Sequence, residues 1–110
     1  MGIELELHSE RPARKGSSRR TLLRGSYEHG EALARALSTL DRHGSGRLGR
    51  VDPYGDTLFN EQEAQAARQE ADALAQQCAD EQQRAALLDL AGLLEACAAT
   101  PGSYLWFMGD

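Results

Sequence analysis

The stretch Val51–Ala64, VDPYGDTLFNEQEA, gathers four carboxylates, Asp52, Asp56, Glu61 and Glu63, around a Pro-Tyr-Gly. Carboxylates at that density suit two kinds of chemistry. Asp52, Asp56 and Glu63 supply three carboxylates for a hard cation such as Ca²⁺, which takes roughly six to eight oxygen ligands. Asp52 and Asp56 could instead act as an acid/base pair, if one cleft held both and their surroundings set the two pKa values apart. Ordinary structural duties nevertheless account for most of these residues. Asp52-Pro53-Tyr54-Gly55 has Asp, Pro and Gly where a type I turn wants them. Asn60 is a helix N-cap, Glu63 completes a capping box three residues later, and Glu61 complements the helix dipole. Tyr54 and Asp56 are left without such a duty, so Asp52, Tyr54 and Asp56 form the first candidate binding site.

A second candidate is SERPARKGSSRR, residues 9–20, a loop carrying Arg11, Arg14, Lys15, Arg19 and Arg20. Cations on a flexible segment attract a polyanion or an acidic protein surface. The loop has no aromatic residue to stack bases and the whole chain is acidic, which argues against nucleic acid. A partial EF-hand register over Asp41–Asp52 is broken by His43 and Ser45 at its third and fifth positions, so no metal or cofactor is expected. His8, His29 and His43 lack zinc-type spacing with either cysteine and read as surface or capping residues. No nucleophile elbow, P-loop or dinucleotide fingerprint is present.

The elements around these residues follow from periodicity. Residues 2–8 place Ile3, Leu5 and Leu7 on one side and Glu4, Glu6 and His8 on the other, a half-buried strand expected near a sheet edge. Thr21-Leu22-Leu23 suits a short return strand. Leu33, Leu37 and Leu40 predict a helix over about 27–42, capped by Ser26 and stopped at Gly44 with Arg42 and His43 in its last turn. Thr57-Leu58-Phe59 is extended. Ala64, Ala67, Ala71, Leu74 and Cys78, then Leu87, Leu90, Leu94 and Cys97, predict a helical hairpin over about 61–78 and 81–99 with Asp80 as the second cap. A single bent helix is the alternative, because no Pro or Gly separates the halves. Tyr104–Met108 is apolar on both alternating faces and therefore belongs inside a sheet.

The 110 residues, 41% apolar and 26% charged, are enough for one domain with a single core. Nothing approaches the roughly 20 apolar residues of a membrane span, and acidic residues stand where a secretory signal would be basic, so the cytoplasm is expected. Cys78 and Cys97 would lie about 20–28 Å apart on helices, whereas a disulfide needs Cα atoms within about 7 Å. The net charge of −5 divides into +4 for residues 1–50 and −9 for residues 51–110. Such polarity steers association with a charged partner.

VDPYGDTLFN and the terminal YLWFMGD together resemble an uncharacterised family of small bacterial proteins of actinobacterial type. The resemblance covers Val51–Asn60 and Tyr104–Asp110, and implies bacterial origin and one compact unit containing both segments. It brings no activity, cofactor or catalytic residue. The excess of Arg over Lys agrees with a GC-rich bacterial genome.

The expected fold is α+β, with three or four mostly antiparallel strands packed against an N-terminal helix and a C-terminal helical hairpin. It forms a single domain over 1–110, with 9–20 as a basic flexible loop within it. The expected role is a non-enzymatic protein-binding module, an immunity-type inhibitor or small regulatory partner, whose acidic C-terminal half suits a basic protein encoded nearby. The runner-up is a small enzyme or a ligand- or metal-binding domain using Asp52, Tyr54 and Asp56. Self-association through the C-terminal strand is a third reading.

Overall fold

The alternation of residues 2–8 becomes strand β1 (Ile3–His8), with Ile3, Leu5 and Leu7 buried against the core and Glu4 exposed. This is seen in a computed structural model that describes residues 2–12, 21–40 and 46–109. Among them, β1 joins β2 (Leu22–Ser26), β3 (Asp56–Asn60) and β4 (Tyr104–Gly109) in one antiparallel sheet of order β2-β1-β4-β3. The doubly apolar strand β4 is interior, as its composition demands. Strand β1 lies one place in from the edge, where the short, exposed return strand β2 covers its outer side. With β1 and β4 both interior, the edges are β2 and β3. Strand β4 therefore has no free edge, and a partner or a second copy could meet it only at its open face.

Between β1 and β2 the register shifts at Leu7/His8, and β2 runs to Ser26 rather than stopping at Leu23. Ser26 is thereby spent in the sheet, where it pairs with Leu5 and its hydroxyl donates to Asp89. It cannot also cap a helix. Helix α1 (Gly30–Leu37) is accordingly shorter than 27–42 and begins after His29, which makes no side-chain cap bond. The expected stop at Gly44, with Arg42 and His43, lies outside the described residues.

The helical hairpin is present as α2 (Glu61–Gln77) and α3 (Glu81–Ala99). Asn60 accepts the Glu63 N–H at 2.8 Å and Glu63 accepts the Asn60 N–H at 2.9 Å, a complete capping box. Asp80 accepts the Gln83 N–H and starts α3. Arg84, one turn further on, donates back to the carbonyls of Ala75 and Cys78. The end of α2 thus finds its donors on the next helix, and no glycine is needed to break the chain. The buried stripe of α2 is Ala64, Ala67, Ala71 and Ala75, which lets α3 approach closely with Leu87, Leu90, Leu94 and Cys97. The helices cover only the sheet face that carries Ile3, Leu5, Leu7, Phe59, Leu105 and Phe107. No helix among the described residues is long and apolar enough to cross a membrane.

One carboxylate fastens the connection between α1 and β3. Glu70, midway along α2, accepts the N–H groups of Arg47 and Leu48, both at 2.9 Å, where a 3-10 turn (Leu48–Arg50) begins. Charge-assisted bonds of this kind contribute about 1.5–3 kcal/mol. In urea denaturation Glu70→Ala should cost more than Asn60→Ala, whose lost cap is worth about 1 kcal/mol. Equal costs would mean that the 3-10 turn is held by other contacts.

Candidate functional site

The sheet face turned away from the helices is built by parity. Side chains alternate along a strand, so burying Leu105 and Phe107 sends Tyr104, Trp106 and Met108 to the other side. Across from them stand His8, Glu6 and Glu4 on β1, and Asn60, Leu58 and Asp56 on β3. A cleft of about 850 Å³ opens over this region. Its floor is Tyr104, Trp106 and Leu58; Asp56, Asn60 and Glu63 form one side, and Arg11 with Pro12 the other. The Arg11 guanidinium lies 5.7 Å from the centre of the Tyr104 ring, a cation–π contact.

The sequence candidates are divided by the fold. Asp56 and Arg11 meet at this cleft, whereas Asp52 and Tyr54 do not line it. The Asp52 Oδ1 accepts the Tyr54 N–H at 2.9 Å and its carbonyl accepts the Gly55 N–H, completing the expected turn. Tyr54 projects outward, 67% exposed. Arg14, Lys15, Arg19 and Arg20 lie outside the described residues. Among those that are described, no three His, Cys, Asp or Glu side chains converge to hold a metal ion.

Three features escaped the sequence reading. His8, expected at the surface, is fully buried. Its Nδ1 lies 2.7 Å from the Thr21 hydroxyl and its Nε2 lies 3.0 Å from Glu6, whose other oxygen accepts the Tyr27 O–H at 2.7 Å. Burial without partners would be costly, so the imidazole is a structural post, tilted against Trp106 with ring centres 5.8 Å apart. The capping carboxylate Glu63 is the second feature, because it also reaches the cleft. The third is Gly109. Its N–H donates to the Gly55 carbonyl at 2.7 Å, and a Cβ there would lie 2.5 Å from the Pro53 carbonyl group. A glycine inside a strand pattern signals such a close backbone approach. It clamps the Asp52–Gly55 turn to the end of β4.

The cysteines are both free, and Cys97 is fully buried while Cys78 is half-buried. Burial pushes the Cys97 thiol up, partly offset by the Ser103 hydroxyl. A thiol reagent at neutral pH should therefore label Cys78 and reach Cys97 only on unfolding; early labelling of Cys97 would contradict this packing. Gly109→Ala should lower stability by about 1–3 kcal/mol, because backbone must move to make room. A melting temperature unchanged by that substitution would show that the turn is not clamped. Comparison with family models, curated proteins and solved structures finds no match to this chain.

Proposed function

We propose that this chain is a non-enzymatic protein-binding module, an immunity-type inhibitor or small regulatory partner acting in the cytoplasm, and that its open sheet face receives a basic protein. One observation carries this reading. Tyr104, Trp106, Met108 and Leu58 form a half-buried aromatic and apolar stripe, flanked on the same face by Glu4, Asp56 and Glu63. Interfaces concentrate their energy in aromatic anchors, while charges at the rim set partner choice and encounter rate. A net charge of −5 favours a cationic partner. For a small bacterial protein of the type its two segments resemble, a product encoded beside it is the natural first candidate.

The enzyme reading draws less support. The carboxylate of Asp52 is engaged in its own turn, away from Asp56, and both ring nitrogens of His8 are occupied. The thiol of Cys97 is buried in the core. The groups best suited to base or nucleophile chemistry are committed to structure.

Calorimetric titration with the purified neighbouring gene product tests the proposal. Asp56→Lys should weaken binding by about tenfold or more, equivalent to roughly 1.4 kcal/mol. Affinity should also fall with added salt, and the circular dichroism of the variant should match the parent. A binding heat indifferent to Asp56→Lys and to salt would remove the basic-partner reading.

A further inference from the structure

We infer that the partner engages the outer edge of β3 as an added strand: an extended, basic segment that bonds to the main chain of Asp56 and Leu58 and sets a Lys or Arg side chain beside Asp56. This rests on the protein-binding reading and specifies its mode.

The hydrogen-bond parity of the sheet fixes which groups face outward. Gly109 donates to the Gly55 carbonyl, so Gly55/Gly109 is a bonded pair in the β3–β4 register. Bonded and non-bonded pairs alternate along an antiparallel ladder. Thr57/Phe107 and Phe59/Leu105 are then the next bonded pairs, and Asp56, Leu58 and Asn60 turn their main-chain groups away from β4. Asn60 is spoken for: its N–H goes to Glu63, and as N-cap its carbonyl begins the bonding of α2. Asp56 and Leu58 therefore present two donors and two acceptors along the outer edge, and no described strand lies beyond β3. Such an edge is a template for strand addition, in which main-chain bonds supply affinity and alternate side chains supply choice.

The same two residues carry the cleft. The side chains of Asp56 and Leu58 lie on the open face and line it together with Glu63 and Trp106. A strand laid against β3 would bring its own open-face side chains about 4.5–5.5 Å from theirs, measured between Cβ atoms. A cation there meets Asp56, with Glu63 near, and an apolar neighbour meets Leu58. Charge complementarity favours a basic segment over a second copy of this chain, which would bring another Asp56, another Glu63 and a further net charge of −5. The other edge is less suited. Strand β2 is irregular opposite Leu7/His8, and the Tyr27 ring stands over Gly25.

The test is an amide NMR titration of the full chain with a blocked peptide of alternating Val and Lys. Shifts should centre on the amides of Asp56 and Leu58, and hydrogen exchange at both should slow by about tenfold or more at saturation. N-methylation of the peptide along the edge that meets β3 should abolish binding, and methylation along its other edge should not. A peptide with Glu in place of Lys should fail, and Asp56→Asn should weaken binding several-fold. Shifts centred on β2 or the helices, or tolerance of N-methylation on either edge, would overturn the proposal. So would exchange protection at Asp56 and Leu58 that rises with protein concentration alone, because that outcome places a second copy on the edge. Leu58→Pro, which deletes one edge donor at a position facing solvent, separates the two levels. If the neighbouring gene product binds, responds to Asp56→Lys and ignores Leu58→Pro, the basic-partner reading stands and strand addition falls.

Discussion

The interior position of β4 requires cover for both of its alternating side-chain sets, and the helices supply it on one side only. Leu105 and Phe107 disappear under α3 and its neighbours, while Tyr104, Trp106 and Met108 emerge on the opposite face. Much else in the molecule answers to that imbalance. His8 is buried on the uncovered side and must be supplied with Thr21 and Glu6. Arg11 lays its guanidinium over Tyr104. Glu63 lines the cleft from the first turn of α2. A sheet packed on both sides would need none of these arrangements. Its strands would read as continuous apolar runs, whereas β1 carries Glu4, Glu6 and His8 in alternation.

Local chemistry was legible in the sequence, and long-range pairing was not. Asn60 with Glu63, Asp80, and the turn at Asp52–Gly55 each depend on residues within three positions, and each was read correctly. The leucine stripe of α3 and the interior status of β4 also followed from periodicity alone. Thr21-Leu22-Leu23 reads as a return strand, but its extension to Ser26 and the register shift at Leu7/His8 depend on contacts that alternation does not encode. Ser26 shows the same ambiguity in one residue. Its type suits a helix cap and also tolerates a strand end, and the bond to Asp89, 63 positions distant, decides the matter.

The candidate site was half visible for related reasons. Asp56 stood out because no turn or cap needed it, and the structure puts it on the cleft. Tyr54 stood out on the same argument and projects into solvent instead. Trp106 stands among apolar neighbours on both alternating faces, and such a pattern carries no parity to say which side it takes. Gly109 carried a signal that was there to be read, a glycine closing an apolar strand. Its meaning is geometric: two backbones, from the turn and from β4, pass too close for a methyl group.

Strand β4 is also the last of these elements in chain order, which bears on synthesis. Strands β1 and β3 do not touch as neighbours in the sheet; each is held by β4. While residues 104–109 are still inside the ribosome, β1 and β2 can form a hairpin and α2 can pair with α3, yet the two halves of the sheet have nothing between them. Joining β1 to β4 closes a loop that runs from His8 to Tyr104, and its entropy must be met before any of those bonds form. Until residues 104–109 are in place, β1 therefore keeps one edge of its main chain unpaired. A molecular chaperone that recognises apolar extended segments would find its binding site there, and would lose it when β4 drops into place.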